Sequence, residues 1–218
     1  MITLHHVPGS RSMRVLWLLE ELGLAFTLRN WSLTDGGLRS PEFRALSPAG
    51  RVPALEIDNR AIFESGAIVE YLCETHPDAG LAPAVGAPER AAFLEWVHFA
   101  ETQANIVQNL NIQHIFLRPE SARSLPLMKL DTKRLAVTMQ ALEAQLDGRE
   151  WLIGTFSAAD CMLGFNIDAM FRFVRAEGFP NITAYRERIR SRSAYQAALK
   201  QGGGDSIYAQ DFYELPDA

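Results

Sequence analysis

Over residues 1–79 short apolar runs alternate with segments of helical spacing. Residues 2–5 read as a strand, Pro8 and Gly9 as a turn, and residues 12–22 as a helix stopped by Gly23. Residues 25–32 give a second strand and residues 41–45 a short helical turn. Two further strands, residues 54–57 and 61–63, flank Asp58-Asn59-Arg60, where Asp58-Asn59 is a tight hairpin signal. A helix over residues 65–76 follows. The order is βαβαββα. Crossover helices demand parallel pairs and a hairpin demands an antiparallel one, so the pattern predicts a mixed sheet with helices on its faces.

From Asp78 to Pro88 the sequence turns to Pro, Gly and Ala, the composition of an exposed linker. Beyond it apolar residues recur only at helical spacing: residues 89–116, 124–146 closed by Gly148, 157–176 closed by Gly178, 182–191 and 194–200. The expected organisation is a domain over 1–79, a linker over 80–88 and an all-α domain over 89–218. Gly202-Gly203-Gly204 ends the last helix, and the tail beyond it carries Tyr208, Phe212 and Tyr213, too aromatic for a free end, so it is expected to pack back on the protein. Ser157 and Asp160 form an S-x-x-D capping box ahead of the apolar run 161–167, a structural role.

The 218 residues carry 21 basic and 26 acidic side chains, a net charge of −5, which offers no basic field for a phosphate backbone and makes nucleic acid an unfavourable partner. An apolar fraction of 48% excludes a disordered chain. No run approaches the roughly 18 apolar residues of a membrane span, and the first residues have histidines and a proline where a secretory leader would be basic and then apolar; the expectation is a cytoplasmic protein without a membrane partner. Cys73 and Cys161 each sit in a helical apolar pattern and read as buried packing residues. Cys73-x-x-His76 lacks the second pair that a zinc site needs, so no metal is expected.

Phosphate-cradling, dinucleotide, hydrolase-elbow and zinc-protease motifs are all missing. Three turns remain. In Pro8-Gly9-Ser10-Arg11-Ser12 a strand hands over to a helix, so free N–H groups and the positive dipole end face the serines, and an anion or thiolate would be stabilised there; the plainer reading is that Ser10 or Ser12 caps the helix. In Gly50-Arg51-Val52-Pro53 a proline opens a strand, as at an edge or a special turn, and a cis bond would leave the backbone groups of Val52 facing a ligand. In Glu64-Ser65-Gly66, Ser65 is a natural N-cap whose hydroxyl and nearby amides could receive a carboxylate or serve the helix alone.

Those turns, with the run RVLWLLEE at residues 14–21 and Ser157-Ala158-Ala159-Asp160, make the chain resemble the glutathione S-transferase superfamily over essentially its whole length, and its serine-type bacterial and fungal group in particular. The resemblance implies a thioredoxin-like first domain, an all-α helical bundle and glutathione as co-substrate with no metal. It puts Ser10 first, and Ser12 second, as the hydroxyl that hydrogen-bonds the glutathione sulfur. Val52, ahead of the family's cis Pro53, would pair with the cysteinyl part, Glu64 with the γ-glutamyl ammonium and Ser65 with its carboxylate, while Arg11 and Arg51 stand where a base could meet a glutathione carboxylate. The implied activity is attack of the thiolate on an apolar electrophile or a peroxide, in a homodimer. The electrophile is expected against the helical domain, with His6, Val7, His98, Glu101, Thr102, Asn105 and the aromatic tail as lining candidates.

Neither serine is a cysteine, which disfavours reductase chemistry through a protein thiolate. Two other readings stay open: a non-catalytic interaction or ligand-carrying module of the same fold, and a glutathione-dependent isomerase or dehalogenase. Retention of Ser10, Val52-Pro53 and Glu64-Ser65 speaks against the first.

Overall fold

The structure, a computed structural model, describes residues 1–203 and 207–215; Gly204 of the glycine run lies outside them. The chain forms two compact units, one of residues 1–90 with 190–203, the other of residues 91–189 with the tail from 207.

The first unit is built on strands β1 (Ile2–His6), β2 (Phe26–Asn30), β3 (Ala54–Ile57) and β4 (Arg60–Phe63), in the order β2-β1-β3-β4. β1 pairs with β2 in parallel and with β3 antiparallel, and β3 pairs with β4 across a two-residue turn. Asp58 and Asn59 both take positive φ, 50° and 61°, the type I′ geometry that matches strand twist. The helices are α1 (Ser12–Glu21), α2 (Pro41–Leu46) and α3 (Ser65–Thr75). This is the thioredoxin-like βαβαββα arrangement with its mixed sheet.

Strand alternation divides the histidines of β1 between the two faces. His5 meets the α2 side, edge-on to Phe43 with centroids 6.0 Å apart, while His6 meets α1. α1 is buried from Ser12 to Leu19, more than one face, because α9 (Ser193–Gly202) packs on it as well. Trp17 and Tyr195 stack edge-on at 4.8 Å, and Arg192 grips Glu21 with two bonds of 2.7 Å. Glu21 also accepts from Trp17 Nε1 at 2.7 Å.

The second unit is helical: α4 (Arg90–Asn111), α5 (Leu125–Gln145), α6 (Ala158–Gly164), α7 (Asn166–Met170) and α8 (Pro180–Ser191). Two expected helices are shorter than their patterns. α4 gives way to a π turn over Ile112–Phe116, closed by Leu117 N–H on the Ile112 carbonyl. The helix expected over 157–176 breaks at Phe165 into α6 and α7, where the buried Asn166 turns its amide to the Ala100 carbonyl, and it gives out after Met170. The capping box is formed, with Ser157 N–H on Asp160 Oδ2 at 2.8 Å. The aromatic tail packs back on this unit: Tyr213 N–H donates to the Arg172 carbonyl, its ring lies 5.6 Å from Phe173 and 5.8 Å from His114, and Arg175 covers Phe212. Cys73 and Cys161 are buried and form no disulfide, and burial pushes the Cys73 thiol up to about 12. No helix among the described residues is long and apolar enough to cross a membrane.

Candidate active site

Sheet register collects the three turns. His5 of β1 stands opposite Ala54 of β3, and Ala54 opposite Phe63 of β4, so these three residues form one row across the sheet. The chain leaves β1 just beyond that row toward Pro8-Gly9-Ser10, enters β3 just before it through Arg51-Val52-Pro53, and leaves β4 just after it into Glu64-Ser65. Residues some fifty positions apart in sequence therefore open at one end of the sheet. A direct bond spans two of the turns: Arg14 Nη1, in the first turn of α1, donates to Ser65 Oγ at 3.1 Å.

Ser10 lies in the turn ahead of α1, partly exposed, with its N–H on the Val7 carbonyl at 3.1 Å. Arg11 occupies the N-cap position and its side chain makes no capping bond, while Ser10 Oγ accepts from Ser12 N–H at 3.3 Å and so caps the start of the helix weakly. The serines also bond each other, Oγ to Oγ, at 2.7 Å. Ser12 is fully buried; its Oγ accepts from Val7 N–H at 3.2 Å and lies 2.8 Å from His6 Nδ1. Arg11 is half-buried and the Arg51 side chain is exposed.

The Val52-Pro53 peptide is cis. The segment before it is fastened by Ser47, whose Oγ donates to the Arg51 carbonyl at 2.7 Å and accepts from Arg51 N–H at 3.3 Å. Gly50 must be glycine here: its φ is +64°, and a Cβ would stand 2.7 Å from the Leu38 carbonyl oxygen.

Ser65 differs from its expected place. It is the first residue of α3 rather than its cap, and its Oγ accepts from Arg14. The residue ahead is the exposed Glu64, at φ +72°, a conformation that non-glycine residues avoid and that is tolerated mainly where function holds it. The carboxylate of Glu64 and the first turn of α3 are thereby presented side by side.

Two residues of this region were missed as site components. His6, expected to line an electrophile pocket, has no exposed surface and reaches the serines from beneath. Strand alternation carried the signal, since His6 falls on the same face as the buried Leu4. Arg14 is likewise without exposed surface, and a cation inside the apolar run MRVLWLL was the mark of a buried, paired charge. Among the described residues no group of three or more His, Cys, Asp and Glu side chains is placed to hold a metal ion.

A thioredoxin-like sheet whose βα and αβ turns carry two serines, a cis proline and a Glu-Ser pair at one end, followed by a separate helical unit, is the architecture of the glutathione transferases. Comparison with known proteins agrees. The family model for the glutathione S-transferase N-terminal domain matches residues 4–80, and that for the C-terminal domain matches residues 108–193. Glutathione S-transferase 3 of Schizosaccharomyces pombe is 28% identical, over 92% of this chain and 88% of its own. A disulfide-bond oxidoreductase of Escherichia coli is 31% identical over 94% and 98%. Among solved structures, the theta class glutathione S-transferase of Xanthomonas axonopodis pv. citri, determined with glutathione bound, is 30% identical with a TM-score of 0.80 over 90% of this chain and 96% of that one. The chain belongs to the glutathione S-transferase family.

Proposed function

We propose that this glutathione transferase binds glutathione at the three turns of residues 1–79 and ionises its thiol beside Ser10. The observation that carries this reading is the common row of His5, Ala54 and Phe63, which opens the three turns at one end of the sheet, with Arg14 bonded across to Ser65. Exposure supports Ser10 over Ser12 as the hydroxyl that meets sulfur, because Ser12 is buried and already engaged by His6 and Val7. In this reading the Val52 backbone pairs with the cysteinyl part and Pro53 shapes the turn. Glu64 takes the γ-glutamyl ammonium, Ser65 with Arg14 behind it takes the neighbouring carboxylate, and Arg11 or Arg51 meets the glycyl end.

A free thiol of pKa about 8.5 is only about 3% thiolate at pH 7. A shift of about two units, worth about 2.7 kcal/mol, makes most of it nucleophilic, and a hydroxyl donor at a helix N-terminus is a source of that magnitude. The thiolate then attacks an electrophilic carbon and expels its leaving group, or attacks a peroxide oxygen. Conjugation of apolar electrophiles by a cytoplasmic homodimer, in the manner of detoxification, is the physiological role we assign.

The name of the Escherichia coli relative favours one second reading, glutathione-dependent disulfide reduction, in which the bound thiolate rather than a protein cysteine attacks sulfur. A panel of an activated aryl halide, an organic hydroperoxide and a small mixed disulfide, assayed with wild type and Ser10→Ala, separates these. The expected result is turnover of the aryl halide or the hydroperoxide that falls about a hundredfold in the variant. Turnover confined to the disulfide selects the second reading, and no turnover of any substrate refutes both.

A further inference from the structure

Ser10 is the outer end of a hydrogen-bonded row that runs into the first unit. Ser10 Oγ lies 2.7 Å from Ser12 Oγ, Ser12 Oγ lies 2.8 Å from His6 Nδ1, and His6 Nε2 lies 2.9 Å from the carbonyl oxygen of Gly202 in the last turn of α9. The inner end sets the direction of every hydrogen. A carbonyl only accepts, so Nε2 carries the hydrogen, and in a neutral imidazole Nδ1 is then an acceptor. Ser12 donates to Nδ1. The one hydrogen left for the contact between the serines belongs to Ser10, which in the free protein therefore points it inward. A hydroxyl turned this way cannot donate to a thiolate, but it can accept from a thiol.

We propose that His6 is the acceptor of the thiol proton of bound glutathione, reached through Ser10 and Ser12; this rests on the glutathione reading above. As the S–H bond breaks, its proton joins Ser10 Oγ, the Ser10 proton passes to Ser12 Oγ, and the Ser12 proton passes to His6 Nδ1. Every bond of the row reverses. The imidazolium donates to Ser12, Ser12 to Ser10, and Ser10 to the thiolate, so that the hydroxyl which opposed the anion now stabilises it. One neutral thiol and one neutral imidazole become a thiolate and an imidazolium; no proton goes to water and nothing is oxidised. His6 and Ser12 are positioning residues, since Ser10 alone touches the sulfur.

The surroundings act on the two states in opposite senses. His6 has no exposed surface, and burial holds its pKa below 6.5, which keeps the ring neutral in the free protein and works against the cation; the Gly202 carbonyl favours the cation, as does a thiolate formed at the outer end of the row. A Cβ at position 202 would stand 2.6 Å from Met13 Sδ, 3.0 Å from Leu16 Cδ2 and 3.3 Å from His6 Nε2, so glycine is what lets that carbonyl reach the ring. The charged and titratable groups on the surrounding elements are His5 on β1, Arg11, Arg14, Glu20 and Glu21 at α1, and Arg192 and Lys200 at α9. Of these, His5 bonds Glu56 and Trp31, Arg14 bonds Ser65, Glu20 meets Gln201, and Glu21 pairs with Arg192.

Counting protons against thiolate tests the proposal on the intact chain. Glutathione is added in weakly buffered solution near neutral pH, thiolate is read by its ultraviolet absorbance and released protons by an indicator dye, with S-methylglutathione, which has no thiol, as baseline. The expected result is thiolate formation with no matching proton release. In Ser12→Ala, which breaks the row and leaves Ser10 in place, thiolate should form only with release of a proton, and kcat should fall about a hundredfold with KM for glutathione little changed. Ser12→Thr, which keeps the hydroxyl, should restore most of it. One proton released per thiolate in wild type overturns the relay alone, as does a Ser12→Ala variant that behaves as wild type; no thiolate at all overturns the glutathione reading with it.

Discussion

Replacing Asp160 by alanine removes the acceptor at a buried junction of the helical unit. The carboxylate has no exposed surface, and four donors converge on it: Ser157 N–H at 2.8 Å and Ser157 Oγ at 3.2 Å on one oxygen, Leu152 N–H at 3.1 Å and the Tyr185 hydroxyl at 2.7 Å on the other. As an exposed cap it would contribute about 1 kcal/mol. Its position changes the magnitude. Truncation strands three donors, Leu152 N–H, Ser157 N–H and the Tyr185 hydroxyl, on residues at most 1% exposed, and each buried orphan costs about 1–3 kcal/mol. Allowing for water entering the space the carboxylate leaves, the expected loss is about 4 kcal/mol, or about 8–16 °C in melting temperature for a chain of this length. Urea unfolding at pH 7 measures it. Tyr185→Phe should cost about 1 kcal/mol in the wild-type background and recover about 1 kcal/mol or more after Asp160→Ala, because it then removes a hydroxyl that is already orphaned. A loss of 1 kcal/mol or less for Asp160→Ala would show that the donors find other partners and that the residue is an ordinary cap.

Other consequences can be checked separately. With both cysteines buried and the Cys73 thiol pushed up to about 12, neither should react with a disulfide reagent at pH 7.5 in the native protein, and both should on unfolding; one fast native thiol would contradict this. Gly50→Ala places a Cβ against the Leu38 carbonyl at positive φ and should cost about 2 kcal/mol or more while weakening glutathione binding through the displaced 51–53 turn; unchanged stability and affinity would refute the role given to that turn. Burial, with Arg123 adding to it, lowers the His114 pKa below 6.5, so under pH 6.5 the unfolded chain binds a proton that the folded one refuses. Stability on this account is complete above 6.5 and declines as pH falls toward the folded pKa, at up to about 1.4 kcal/mol per pH unit, and His114→Gln should remove that share of the slope.

Much of the fold was written locally. The hairpin at Asp58-Asn59 and the strand of Ala54–Ile57 needed only alternation and turn residues, and α1 needed only its spacing and Gly23. What escaped depends on partners distant in sequence. The helical pattern of Ser193–Gly202 says nothing of what it packs on, and its tie to α1, Arg192 on Glu21, joins residues 171 positions apart. The break at Phe165 is fixed by Asn166 reaching a carbonyl 66 residues away, which no helical wheel displays. At the site the turns themselves were legible, because strand-to-helix junctions announce free N–H groups. The bond from Arg14 to Ser65 and the row under Ser10 were not, since both arise from sheet register and from α9, not from spacing within either turn.

The central claim is that this site ionises glutathione through Ser10. Titrating protein-bound glutathione by thiolate absorbance from pH 5 to 10, beside Ser10→Ala under saturating glutathione, tests it most directly. The bound thiol should titrate about two units below its free value of about 8.5 in wild type and return close to that value in the variant, with glutathione still bound. A wild-type thiol that titrates as it does in water, or a variant that keeps the full shift, would contradict the account.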